Sequence, residues 1–192
     1  MPEPTRASAY RYAAAMELRR TLNGALAGGL SAAVWAAQQP LDKRVFGTDY
    51  DDVELLGKLV TRGPGWPATG LAMHMANGAA FGAVYTLARP FLPGPPVVTG
   101  TLAALIENFA SWPLGAVSDS HHPARGELEP LWGNTRALAQ ATWRHALFGA
   151  LLGELERRLN PVDEFEPPRE VPVSSNGHGN IERAAVGATE SQ

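Results

Sequence analysis

Residues 21–41 read TLNGALAGGLSAAVWAAQQPL and contain no charged side chain. Three later blocks are almost as free of charge, with His74 in the first, Glu107 in the second, and the adjacent Arg144 and His145 in the third. A helix that crosses a membrane needs roughly 20 mainly apolar residues. The four blocks therefore predict an all-α, four-helix transmembrane bundle. Its predicted helices cover residues 21–40, 67–89, 96–117 and 136–158.

Composition narrows the classes of function. Charged residues make up 18% of the chain, against about 25% in an average globular domain. The net charge of −3, with no basic stripe that contains aromatic residues, argues against nucleic acid as a partner. The chain has no cysteine, which excludes disulfides, thiolate metal sites and a cysteine nucleophile. Neither a Gly-Lys-Ser phosphate loop nor a Gly-x-Ser-x-Gly motif occurs, so nucleotide binding and serine hydrolysis have no support.

Pairs of glycines four residues apart occur in three of the four blocks. This spacing places both glycines on one helix face, where a neighbouring backbone can approach closely. Because a glycine inside a soluble helix costs about 1 kcal/mol relative to alanine, three such pairs favour close-packed membrane helices. The predicted packing positions are Gly24, Gly28, Gly78, Gly82, Gly149 and Gly153. The spacing is compatible with packing between helices of one chain or between chains. The expected partner is the lipid bilayer, and a homo-oligomer or a membrane-protein partner remains open.

The charges outside the blocks predict an orientation. Lysine and arginine are more numerous in the first 20 residues, the second connection and the tail than in the other two connections, which favours both termini in the cytoplasm. We therefore expect a multi-pass protein of the bacterial inner membrane. Residues 1–20 form a cytoplasmic N-terminal segment. Residues 161–192, rich in Pro, Glu, Ser, Gly and Asn, form a disordered cytoplasmic tail.

The connection of residues 42–67 contains a short amphipathic pattern. Val53, Leu56, Leu59 and Val60 follow helical spacing, with charged residues around them. One interpretation is a helix that lies on the membrane surface between helices one and two. The other is an amphipathic helix that covers the ends of the bundle.

Three stretches carry a resemblance to a known family. They are AVWAAQQPLDKR (33–44), SWPLGAV (111–117) and WRHALFGALLGELERRLN (143–160). With them, residues 21–160 resemble the YagU-like proteins, which are small bacterial inner-membrane proteins. The connection DYDDVELLGK (49–58) has no counterpart in that pattern. The resemblance implies a four-helix inner-membrane protein, and it carries no established catalytic activity.

Polar side chains inside the predicted spans fall at compatible depths, so we expect them to form one cluster in the bundle. Such side chains are costly in a bilayer and mark function by default. Glu107 and Arg144 are the predicted ion pair, because an unpaired glutamate in hydrocarbon would be protonated. The predicted cluster comprises His74, Asn77, Glu107, Asn108, Arg144 and His145.

Three functions compete for this cluster. The first is a non-enzymatic protein in which the polar network holds the helices in register. The second is a transporter or proton-handling protein that uses His74, Glu107 and His145. The third is a membrane metal-binding enzyme with the same three residues as ligands, although no Glu-x-x-His pattern occurs. We expect no cofactor and assign no catalytic residue.

The segment SDSHHPARGELEP (118–130) also concentrates groups that bind metals. Asp119, His121, His122, Glu127 and Glu129 would suit a divalent cation. A pair of histidines next to a proline is, however, more often a plain exposed turn.

Overall fold

The computed structural model describes residues 6–161, which contain six α-helices and no strand. All of them belong to one compact unit. The helices are α1 (Arg6–Phe46), α2 (Asp52–Val60), α3 (Trp66–Ala88), α4 (Pro96–Ser111), α5 (Leu114–His121) and α6 (Thr135–Leu159), with a 3-10 turn at Arg89–Phe91 between α3 and α4. Residues 162–192 lie outside the described residues, and with them almost the whole of the predicted tail.

The predicted transmembrane bundle is wrong. Across residues 6–161, no helix combines the length and the apolar character that a membrane crossing requires. The predicted inner-membrane location and its orientation, with both termini cytoplasmic, are wrong for the same reason. The error has a physical cause: the four blocks are free of charge, but they are built largely from alanine and glycine, which bury little apolar surface. Polar residues such as Gln38, Gln39 and Asn77 interrupt them further.

Two helices differ clearly from their predicted bounds. α1 starts at Arg6 and runs for 41 residues, so it includes most of the segment that was set apart as residues 1–20. The third predicted helix is divided, since α4 ends at Ser111 and α5 begins at Leu114. Pro113 lies at this break, and a proline has no N–H to continue the helical hydrogen bonds.

α1 occupies the middle of the packing. It contacts α3 on one side and α6 on another, and α6 in turn packs against α4. The short α2 packs against α3 and covers that part of the bundle. This position corresponds to the second interpretation of the amphipathic pattern, a helix that covers part of the bundle. α3 and α4 make almost no direct contact with each other, which leaves a gap between these two helices.

Glycines allow the closest helix contacts. Gly24 and Gly28 of α1 face Gly78 and Gly82 of α3, where a Cβ on Gly24 would lie 2.7 Å from the carbonyl oxygen of Gly82. Gly149 and Gly153 of α6 lie equally close to the backbone of α4 around Gly100. The three glycine pairs are thus all located at helix–helix contacts.

Large apolar side chains lie mostly on the outside. On the outward face of α1, Leu22, Leu26 and Leu30 are 60%, 53% and 45% exposed. The main core cluster contains mostly small and aromatic residues instead, with a single leucine: Ala27, Ala32, Trp35, Tyr85, Ala104, Phe148 and Leu152. Close packing in this fold therefore depends on small residues and on buried polar groups.

Candidate functional site

Arg144 is the buried centre of a charged network. Its side chain, in the middle of α6, is completely inaccessible. Nε donates to Oδ2 of Asp42 at 2.6 Å and Nη2 donates to Oδ1 of the same carboxylate at 2.7 Å. Nη1 donates to Oδ2 of Asp52 at 2.7 Å. Because Asp42 lies on α1 and Asp52 begins α2, one guanidinium joins three helices.

Further donors complete this network. Gln140 donates to Oδ1 of Asp42 at 2.7 Å, and the indole N–H of Trp35 donates to Oδ2 of Asp52 at 3.1 Å. The hydroxyl of Tyr50 donates to the other oxygen of Asp52. Burial acts to raise the pKa of Asp52, but the guanidinium of Arg144 and the hydroxyl of Tyr50 outweigh it and hold this pKa below its usual value. Asp52 is thus kept ionised in the interior.

The predicted ion pair between Glu107 and Arg144 is wrong. Arg144 turns to Asp42 and Asp52, whereas Glu107 pairs with His145, whose Nε2 lies 2.9 Å from Oε2 of the glutamate. Neighbouring residues point about 100° apart on a helix, so Arg144 and His145 face different helices. Arg144 faces α1 and α2, and His145 faces α4.

His145 and Glu107 form a hydrogen-bonded pair. Nδ1 of His145 lies 2.8 Å from the carbonyl oxygen of Ala141, and Nε2 lies 2.9 Å from Oε2 of Glu107. Both ring nitrogens of His145 are thus engaged. The hydrogen bond from His145 lowers the pKa of Glu107, against the opposing effect of partial burial, so Glu107 is held as a carboxylate.

His74 is the second histidine of the site, and it is not paired in this way. It is 7% exposed, and its Nε2 has no hydrogen-bond partner among the described residues. Burial lowers the pKa of His74, although Asp52 and the backbone of Ala32 act in the opposite direction. Trp35 separates the two histidines, with its ring 5.0 Å from that of His74 and 4.6 Å from that of His145. His74 is therefore a neutral imidazole with one unused ring nitrogen.

These groups surround a cavity of about 520 Å³ between α3 and α4. Its polar lining comes from Tyr50, Asp52, His74, Asn77, Glu107, Ser111 and His145. The remaining lining is apolar and comes from Ala32, Trp35, Leu55, Leu56, Gly78, Ala80, Phe81, Val84, Ala104 and Phe148. The cavity thus has a mainly apolar wall with a few grouped polar side chains.

The structure brings together most of the predicted cluster. The cavity wall includes His74, Asn77, Glu107 and His145. Arg144 does not line the cavity, but it donates a hydrogen bond to Asp52, which does. Asn108 is the exception, because it is not part of the cavity wall and its amide donates to Thr142 at 3.2 Å.

Sequence reasoning missed four residues of the site: Asp42, Asp52, Trp35 and Tyr50. The two aspartates belong to the predicted connection of residues 42–67, whose short helix was expected on the membrane surface or over the ends of the bundle. One signal was available, since DYDDVELLGK contains four acidic residues and only one basic residue. A buried arginine elsewhere in the chain requires such carboxylates as partners.

The metal hypothesis gains no support from the described geometry. Within residues 6–161, no group of three or more histidine, aspartate or glutamate side chains is arranged to hold a metal ion. In the segment 118–130, Asp119 accepts from the backbone N–H groups of Leu131 and Trp132. Glu127 pairs with Lys58 and Arg62. Both carboxylates are therefore occupied with contacts inside the protein.

No family model, no curated protein and no solved structure matches this chain. The resemblance to the YagU-like proteins therefore stays a prediction, and function is argued from the site itself.

Proposed function

We propose that this protein binds a small, largely apolar molecule in the cavity between α3 and α4. The observation that carries the proposal is the cavity itself, with its volume of about 520 Å³ and its mostly apolar wall. Ligand pockets in proteins commonly measure about 300–1,000 Å³ and combine apolar walls with a few polar groups that orient the ligand. This cavity has both properties.

The buried network supports the proposal because it holds the cavity wall in place. Arg144 fixes α2 against α1 and α6 through Asp52 and Asp42. The Glu107–His145 pair fixes α4 against α6 on the opposite side. A wall built from several helices that are held in this way is organised before a ligand arrives, which reduces the entropic cost of binding.

Binding fits the site better than catalysis does. The two hydroxyl groups in the cavity wall both donate to groups of the protein, Tyr50 to Asp52 and Ser111 to the carbonyl oxygen of Asn108. The carboxylate beside Tyr50 is held by Arg144, and the carboxylate of Glu107 beside Ser111 is bonded to His145, so neither is free to activate a nucleophile. We therefore infer a non-enzymatic protein.

A second candidate function is proton handling, and the hydrogen-bonded pair of His145 and Glu107 is the observation that favours it. In that case a ligand takes up or releases a proton when it binds. Calorimetry in two buffers with different ionisation enthalpies measures this exchange directly. Equal binding enthalpies in the two buffers would eliminate proton handling and leave the binding function intact.

The binding function is tested with 1-naphthalenemethanol, a neutral aromatic alcohol, by isothermal titration calorimetry. The blocking variant is Ala80→Trp, since Ala80 is exposed and lines the cavity. The control is Ala76→Trp, one helical turn earlier on the same exposed face of α3 and outside the cavity wall.

We expect saturable 1:1 binding to the natural chain and to Ala76→Trp, with at least a tenfold loss of affinity, about 1.4 kcal/mol, in Ala80→Trp. Absence of saturable binding to the natural chain would overturn the proposal. Equal affinities for the two tryptophan variants would overturn it as well.

A further inference from the structure

We infer that the ligand carries a primary ammonium group, which donates hydrogen bonds to the carboxylate of Glu107. This inference rests on the proposed binding function and specifies the chemical class of the ligand. It follows from the hydrogen-bonding capacity that the protein leaves unused in the cavity wall, and from the balance of charge around that wall.

The donors of the cavity wall are largely used within the protein. The indole N–H of Trp35 and the hydroxyl of Tyr50 both donate to Asp52. Both ring nitrogens of His145 are engaged, with Ala141 and with Glu107. The exception is Asn77, an exposed amide that can donate as well as accept. A ligand that needs donors from the protein therefore finds few in this cavity.

An acceptor, in contrast, remains available. Glu107 bonds to His145 through Oε2, and 46% of its side chain remains exposed, so its carboxylate can accept further hydrogen bonds. Nε2 of His74 has no partner in the described part of the chain either, but it has almost no accessible surface and does not open into the cavity. The ligand group that suits Glu107 best is a cationic donor, such as an ammonium.

The charges around the cavity also favour an ammonium group. Two carboxylates, Asp42 and Asp52, surround the single guanidinium of Arg144, which leaves an excess of negative charge behind the cavity. Glu107 adds a carboxylate to the wall itself, and the neighbouring pair of Lys43 and Asp51 is neutral as a unit. A cation in the cavity is therefore attracted.

The experiment compares three ligands with one ring system: 1-naphthylmethylamine, 1-naphthalenemethanol and 1-naphthoate. Their affinities for the natural chain are measured by titration calorimetry at pH 7.5. The amine should bind at least about tenfold more tightly than the alcohol, and 1-naphthoate should bind most weakly.

The matched variants are Glu107→Gln and Glu154→Gln. Both remove a carboxylate, but Glu154 pairs with Arg157 and Arg158 on the outer part of α6 and does not line the cavity. Glu107→Gln should lower the affinity for the amine about tenfold more than it lowers the affinity for the alcohol. Glu154→Gln should change neither. The comparison of ligands on the natural chain needs no variant, so it stands even if Glu107→Gln does not fold.

The outcomes separate this inference from the function on which it rests. If the alcohol binds as tightly as the amine, or 1-naphthoate binds most tightly, the ammonium inference is overturned and the binding function stands. If none of the three ligands binds, both are overturned.

Discussion

Arg144 and Asp42 form a two-point ion pair that joins the middle of α6 to the end of α1, with exposed side-chain fractions of 0% and 2%. The two hydrogen bonds, of 2.6 and 2.7 Å, have the parallel geometry in which guanidinium–carboxylate pairs are strongest. The pair is located among alanine-rich and glycine-rich helices that have few large apolar contacts inside the bundle. We therefore expect it to have a strong influence on stability.

The first prediction concerns this pair. Asp42→Asn keeps the shape of the side chain but removes its charge, and it leaves Arg144 with Asp52 as its remaining partner. Removal of one partner from a buried ion pair is costly because the other charge stays buried, so we expect a loss of about 3 kcal/mol in the free energy of unfolding, measured with urea. Glu154→Gln is the control on an exposed pair and should leave the urea midpoint unchanged. Similar losses in the two variants would contradict the structure.

The second prediction tests the corrected pairing of Glu107. Its side chain is 46% exposed and bonds to His145, so solvent screens this pair. Glu107→Gln should therefore reduce the free energy of unfolding by no more than about 1 kcal/mol, clearly less than Asp42→Asn does. Urea denaturation of the two variants side by side provides the comparison. If Glu107→Gln were the more damaging change, Glu107 rather than Asp42 would be the partner of Arg144.

The third prediction concerns the contact between α1 and α3. A Cβ on Gly28 would meet the backbone of Gly78 and would lie 3.0 Å from Cα of Gly82, so Gly28→Ala forces the two helices apart. We expect a loss of about 1–3 kcal/mol in the free energy of unfolding.

The adjacent Gly29 provides the control. The nearest atoms to a Cβ at this position lie at 3.8 Å, an ordinary contact distance. Gly29→Ala should therefore raise the free energy of unfolding by about 0.5–1 kcal/mol, because alanine favours the helix. Thermal denaturation of the two variants gives the sign of each change, and equal signs would contradict the close contact at Gly28.

The fourth prediction concerns pH. Burial lowers the pKa of His74 in the folded protein below its ordinary value of 6.5, so the unfolded chain binds more protons in the pH range just below 6.5. The contribution of His74 to stability is therefore complete above pH 6.5 and is lost as the pH falls through the lowered pKa. His74→Phe removes this titration and should flatten the pH dependence of the free energy of unfolding between pH 6.5 and 5. An unchanged slope in the variant would show that His74 does not titrate in this way.

The sequence predicts the helices of this structure better than it predicts whether they cross a membrane. An all-helical chain with glycine pairs at helix contacts follows from local spacing, and α3 and α6 lie close to the predicted ranges. The membrane placement was wrong because an absence of charge was treated as if it were hydrophobicity. Alanine and glycine carry no charge, but they bury little apolar surface.

The pairing of charged groups lay beyond what the sequence could predict. Local spacing shows that Arg144 needs a carboxylate, but it does not show which helix the guanidinium faces. That direction depends on how α6 is rotated against α1 and α4, and a rotation of one residue position, about 100°, exchanges the partners of Arg144 and His145. The connection that contains Asp52 was predicted to lie on the membrane surface or to cover the ends of the bundle, and its carboxylates were not identified as partners of Arg144. It supplies one wall of the cavity.

The most direct test of the proposed ligand site is a two-dimensional NMR spectrum of the histidine rings during a titration with 1-naphthalenemethanol. His74 and His145 line the cavity, whereas His121 is exposed on α5 and is not part of its wall. We predict that the ring signals of His74 and His145 shift in a saturable manner while the signal of His121 stays in place. No shift of His74 and His145, or an equal shift of His121, would contradict a ligand site between α3 and α4.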